Sequence, residues 1–204
     1  MYLSRVFLNV KRKATMLSLH NPAEMHRNVE SCFTKHQNEK HLWFLDKVRG
    51  RYMIIMLSDE KPVLDEFVKE YGTGEPAETR EYDSLKELLT VGGRWYFRTK
   101  VNPQHYVCVD GKWKRMGHVT VAQKQDWLVK QGEKHGFRVL DSVVRASRQE
   151  RFQKKANASY MVILSTAVCE GVLEITDVDA FWQMLTTGLG QGKAYGCGLF
   201  LIHK

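Results

Sequence analysis

The chain has 204 residues, 43% of them hydrophobic and 26% charged, which excludes dominant disorder and leaves room for one large domain or two of about 100 residues. Its net charge is +8, and all of the excess sits late: residues 1–92 carry 14 basic and 14 acidic side chains, residues 93–204 carry 17 and 9. A basic field on one half favours a polyanionic partner, because each neutralised phosphate releases counterions.

In chain order, Tyr2 to Val10 reads as a strand with Leu3, Val6, Leu8 and Val10 apolar. Lys11-Arg12-Lys13 follows it, the reverse of a signal peptide's order, and no run approaches the ~20 apolar residues of a membrane span. A cytoplasmic protein is expected. Asn21-Pro22 opens a helix, since Asn caps well and Pro needs no donor in the first turn. Met25, Val29, Cys32 and Phe33 recur on its inward face.

Two apolar runs, His41–Val48 and Tyr52–Leu57, flank Arg49-Gly50 and predict a hairpin. A helix after Pro62 has Val63, Leu64, Phe67, Val68 and Tyr71 on its apolar face and stops at Gly72-Thr73-Gly74. A weak strand near Glu78–Tyr82 completes β-α-β-β-α-β, the ferredoxin-like unit. Ser84-x-x-Glu87 is a capping-box pattern for a short linking helix that ends at Gly92-Gly93.

The pattern then restarts. Arg94–Val101 reads as a strand, and Lys112–Met116, after Asp110-Gly111, as a basic hairpin arm. Thr120 caps a helix running to about His135; Phe137–Val144, Ser159–Val168 and Gly171–Ile175 read as strands; Asp177 caps a last helix, and Leu199–Ile202 is a final strand. The expected fold is α+β, two tandem ferredoxin-like (RRM-like) domains over residues 1–90 and 91–204. Cys32, Cys108, Cys169 and Cys197 form no C-x-x-C pair and are expected to be reduced and mostly structural.

The densest motif is Gly188-Leu-Gly-Gln-Gly-Lys-Ala-Tyr-Gly-Cys-Gly198, with glycines at Gly188, Gly190, Gly192, Gly196 and Gly198 and a lysine at Lys193. Such a loop offers backbone amides to a phosphate. It follows a helix and precedes a strand, the wrong order for a dinucleotide or Walker loop, so no nucleotide cofactor is expected. A tight connection without a ligand is the equal alternative.

Four segments carry a resemblance: Met-Tyr-Leu-Ser-Arg-Val at the start, Tyr96-Phe97-Arg98-Thr99-Lys100-Val101-Asn102-Pro103, Cys169-Glu170-Gly171-Val172-Leu173, and the glycine motif. In order along the whole chain, they resemble the CasE family, the CRISPR RNA endoribonucleases of type I-E systems. The resemblance implies a protein that binds the stem-loop of CRISPR repeat RNA, cuts at the 3′ base of the stem without metal, in single-turnover fashion, and stays with the mature guide RNA and other protein subunits in the Cascade complex. No metal site or membrane partner is implied.

The family's catalytic histidine sits early in the first-half helix, which points to His26; His20 is the nearest rival. An imidazole with a pKa near 6.5 either takes the proton of the ribose 2′-hydroxyl or protonates the departing 5′ oxygen. Family members often carry a tyrosine three residues earlier, where this chain has Ala23.

For RNA contact, the resemblance and the charge together point to the basic arm Arg145, Arg148, Arg151, Lys154 and Lys155, with Lys154 or Lys155 near the scissile phosphate. They point also to Arg98, Lys100 and Asn102 on one strand face, to Lys112, Lys114 and Arg115 on the hairpin, and to the glycine loop. Residues 94–155 hold 15 basic and 5 acidic side chains. Trp95, Tyr96, Trp113 and Trp127 are expected to be buried rather than stacked on bases. Two other readings stay open: an RNA-hairpin-binding subunit without turnover, and a ferredoxin-like enzyme acting on small acyl or phosphoryl groups.

Overall fold

The computed structural model describes residues 1–34, 41–154 and 161–204. It builds the first half from β1 (Tyr2–Leu8), α1 (Lys13–His20), α2 (Pro22–Glu30), β2 (Leu42–Val48), β3 (Arg51–Ser58), α3 (Asp65–Tyr71) and β4 (Glu78–Glu81). The second half contains β5 (Arg94–Val101), β6 (Gln104–Val109), β7 (Lys112–Gly117), α4 (Val121–Lys134), β8 (Phe137–Gln153), β9 (Met161–Ile175), α5 (Val178–Thr187) and β10 (Phe200–His203).

Two four-stranded antiparallel sheets result, ordered β2-β3-β1-β4 and β10-β5-β9-β8. Numbered within its own half, each follows the ferredoxin-like order, with the β6–β7 hairpin inserted after the first strand of the second half. The fold is therefore α+β with tandem ferredoxin-like units.

Strand alternation decides which faces meet. In β2, Trp43 points into a core with Met25, Val29 and Phe67 of the helices, while Leu42 and Phe44 point the other way. In the second half Trp95, Phe97, Phe200, Leu128 and Phe181 form the helix-side core. Leu42, Phe44, Leu57 and Tyr82 meet Leu199, with Trp182 and Leu201 packed on them. This third cluster joins the halves, so the sheets turn their helix-free faces toward each other.

Several expectations change. α1 is not among the elements that the sequence pattern predicts: its buried residues are Thr15 and Ser18, and no side chain caps it. Val63 is 59% exposed and lies outside the apolar face assigned to it. The Ser84-x-x-Glu87 pattern makes no capping box; Asp83–Leu88 is a 3₁₀ turn without a side-chain cap. Thr120, by contrast, caps α4 in a complete capping box with Gln123. The strands expected at 159–168 and 171–175 are one strand over its described residues, β9, paired along its length with the 17-residue β8. Ser159 lies outside the described residues.

Trp95 is buried as expected, but Tyr96 is exposed and stacks on His203, and Trp113 is 72% exposed on the hairpin. All four cysteines are free, and Cys32, Cys169 and Cys197 are buried. No helix of the described residues is long and apolar enough to cross a membrane.

Candidate active site and nucleic-acid interface

α2 exists because Asn21 accepts a hydrogen bond from the Ala23 amide at 3.0 Å and Pro22 takes the first helical position. Met25 and Val29 bury one face. His26 lies beside that face, 30% exposed at its side chain, with Glu30 one turn on at 31%. His26 Nδ1 is 3.5 Å from Glu30 Oε1, inside ion-pair range but not a hydrogen bond. Glu30 Oε2 is 3.0 Å from Nδ1 of His41, whose side chain is 1% exposed and stacks on Phe33.

From the second half, Tyr195 comes edge-on to His26, and its ring in turn meets Phe152 of β8 at 4.8 Å between centroids. Burial pushes the His26 pKa below 6.5; Glu30 pulls it back up, while Lys154 and His41 add to the lowering. The result is an imidazole biased to its neutral form near neutral pH, with a cation close enough to be felt.

His20 ends α1 with Nδ1 2.7 Å from the Met16 carbonyl. It lines a cavity of about 470 Å³ between the halves, together with Pro22, Phe44, Lys100, Arg148 and Arg151. His26 does not line that cavity. Phe152 borders both places, lining the cavity and packing on Tyr195.

The expected RNA contacts divide into two sets. Lys112, Lys114 and Arg115 lie on an exposed hairpin, with Arg115 donating to the Tyr106 hydroxyl at 2.7 Å and lying over its ring. Arg145, Arg148 and Arg151 are exposed along the far half of β8, and Lys154 just past its end. Arg145 donates to Glu170, and Arg151 donates twice to Gln149. Lys155 lies outside the described residues.

The other set is committed to the fold. Arg98 donates to Asp46 of β2 at 2.8 and 3.1 Å and also to Glu170, bridging the halves. Burial pushes the Glu170 pKa up, but Arg145 and Arg98 outweigh it and hold the carboxyl below its usual range. Lys100 pairs with Glu150 at 2.8 Å. Asn102 is 2% exposed, and its amide oxygen accepts from the Ser165 amide at 3.0 Å. Arg98 reaches across to the other half, whereas Lys100 pairs with β8 and Asn102, just past β5, is enclosed by Ser165 of β9 and the glycine loop.

Six amides of the glycine loop are also committed to the fold. The amides of Gly188, Leu189, Tyr195, Gly196, Cys197 and Gly198 are spent on carbonyls of Met184, Gly198, Gly192, Lys193, Gly192 and Lys100. Those six donors are not available to a phosphate. Lys193 donates to the Thr187 carbonyl at 2.6 Å. Gly190 meets the Trp127 ring, and Gly192 starts the Lys193–Tyr195 turn in a left-handed conformation. Gly196, at φ +73°, lies so close to Trp43 that a Cβ would be 2.5 Å from its ring. The glycines let this loop press on β2 and deliver Tyr195 to His26.

Sequence reasoning missed Tyr195, Glu30 and His41. Glu30 had a signal in its i,i+4 spacing from His26; the other two are joined to it only by the tertiary fold.

Over residues 1–204 the chain matches the model of a family described as CRISPR associated protein. The chain belongs to this family. It is 28% identical over 214 residues to a curated relative, the CRISPR-associated endoribonuclease Cse3 of Thermus thermophilus, covering 99% of each chain. It also resembles the solved structure of CRISPR endoribonuclease Cse3 bound to 19 nt RNA, with a TM-score of 0.83, 27% identity and 100% of both chains covered. The Thermus thermophilus Cse3 structure bound to an RNA representing a pre-cleavage complex gives a TM-score of 0.83 at 25% identity, covering 100% of this chain and 98% of that one.

Proposed function

We propose that this protein is an endoribonuclease that binds the stem-loop of CRISPR repeat RNA, cuts it at the 3′ base of the stem without metal, and keeps the mature guide RNA as a subunit of Cascade. It acts in the cytoplasm. Residues 1–90 carry the catalytic histidine, and residues 91–204 carry the basic arm. The whole-length likeness to an RNA-bound endoribonuclease supports the substrate class.

The observation that carries the chemistry is His26, a partly exposed imidazole held toward its neutral form beside Lys154. A neutral imidazole is a general base. It takes the proton of the ribose 2′-hydroxyl; the 2′ oxygen attacks phosphorus, the bond to the 5′ oxygen breaks, and that oxygen leaves as a hydroxyl after protonation. The products are a 2′,3′-cyclic phosphate and a 5′-hydroxyl end. Lys154 faces the charge that develops on the phosphate. Arg148, Arg151, Lys112 and Lys114 contact the stem backbone, since A-form RNA is met chiefly through phosphates, 2′-hydroxyls and shape.

The test is single-turnover incubation of the protein with a labelled repeat hairpin in EDTA, followed by chemical analysis of the ends. Cyclic-phosphate and 5′-hydroxyl termini are expected. Tight binding with no cut product would leave a non-catalytic RNA-binding subunit in its place.

A further inference from the structure

Glu30 serves two imidazoles with one carboxylate. Oε2 is 3.0 Å from His41 Nδ1 and Oε1 is 3.5 Å from His26 Nδ1. A carboxylate accepts hydrogen bonds, so each contact calls for a hydrogen on the facing Nδ1. His41 is the fixed end: its side chain is 1% exposed, and its ring stacks on Phe33 with centroids 3.6 Å apart and planes 8° from parallel. His26 is the open end, 30% exposed. Phe33 and the α2 helix thus hold His41, His41 holds Glu30, and Glu30 faces His26.

We propose that Glu30, anchored by His41, is the positioning residue for His26: it selects the tautomer with hydrogen on Nδ1 and leaves the Nε2 lone pair as the base. This rests on the reading of His26 as the general base. Free histidine prefers hydrogen on Nε2, which then has no lone pair to accept the 2′-hydroxyl proton, so the base needs a partner at Nδ1. A contraction of about half an ångström turns the 3.5 Å contact into a hydrogen bond, a tightening usual when substrate fills a site.

The groups around His26 set the sign of the electrostatics. Glu30 comes from α2, with Cys32 near it in the following turn, His41 from just before β2, Lys154 from just after β8 and Tyr195 from the glycine loop. Burial pushes the Cys32 thiol up to about 12, so it stays neutral. Glu30 alone among the groups that move the His26 pKa raises it against burial.

The experiment is Glu30→Gln in the full chain, read in two ways. Nitrogen chemical shifts of the His26 ring at alkaline pH report its tautomer without any RNA. Single-turnover cleavage across pH reports the base. The wild type is expected in the Nδ1–H form and the variant shifted toward Nε2–H. The variant's cleavage plateau is expected to fall roughly tenfold to a hundredfold, with its acid limb moved to lower pH and its RNA affinity unchanged. Wild-type His26 in the Nε2–H form, or Glu30→Gln with the wild-type tautomer and pH profile, would overturn the proposal. Undiminished cleavage by His26→Ala would instead overturn the base assignment and the positioning role with it; the tautomer readings tell the two failures apart.

Discussion

Tyr195, carried on the glycine-rich loop of the second half, meets His26 of the first half edge-on, with ring centroids 6.4 Å apart and planes at 74°. Tyr195 also packs on the cluster of Ala23, Phe152 and Leu164. Ala23 is the position where the resemblance to the CasE family leads one to expect a tyrosine. Here an aromatic ring reaches the same neighbourhood from the other half of the chain, and the small side chain at 23 leaves room for it.

Restoring a tyrosine at 23 is therefore expected to harm the protein. Ala23 is 4% exposed and packed. Ala23→Tyr should cost about 1–3 kcal/mol from overpacking, read as a lower melting temperature, and should not raise cleavage.

Gly196 gives a second stability test. Its φ of +73° is strained for any side chain, and a Cβ there would meet Trp43 at 2.5 Å. Gly196→Ala should cost roughly 1–3 kcal/mol in thermal or urea unfolding. A melt equal to wild type would show that the loop does not need the close approach.

Lys154 lowers the His26 pKa in the folded protein. Lys154→Ala removes that push, so the His26 pKa rises and the acid limb of the cleavage profile moves to higher pH, opposite in sign to Glu30→Gln. The plateau should also fall, because charge on the phosphate loses a stabilising cation. Single-turnover rates from about pH 5 to 8, the range where imidazole titrates, check both.

The β6–β7 hairpin is exposed and outside both cores, so its lysines should act on binding alone. Replacing Lys112 and Lys114 with Gln should reduce the slope of log affinity against log salt by up to about 2, near one for each phosphate no longer neutralised, with no change in melting temperature. Filter binding across a salt series measures it.

Much of the fold was legible because local signals agreed with it. The Asn21-Pro22 start of α2, the Arg49-Gly50 turn and the Thr120 cap each act within a few residues. α1 was not legible, since polar Thr15 and Ser18 face inward and no apolar period marks it. β8 read as a short strand plus a basic arm because irregularities between Val139 and Asp141 and between Val144 and Ala146 interrupt its alternation. The site was half legible. His26 follows from the family pattern, and Glu30 shares its helix. His41 and Tyr195 arrive through tertiary packing, which spacing alone does not show. Arg98, Lys100 and Asn102 alternated as a phosphate-binding face should, but Arg98 is held by Asp46 of the other sheet, Lys100 by Glu150 and Asn102 by Ser165.

The most direct measurement is single-turnover cleavage of a repeat hairpin in EDTA by the wild type and by His26→Ala, with binding measured on the same samples. Cut RNA is expected from the wild type and at least a hundredfold slower cleavage from the variant, on the order expected for a lost general base, with RNA affinity preserved. Cleavage by His26→Ala at the wild-type rate would contradict this expectation.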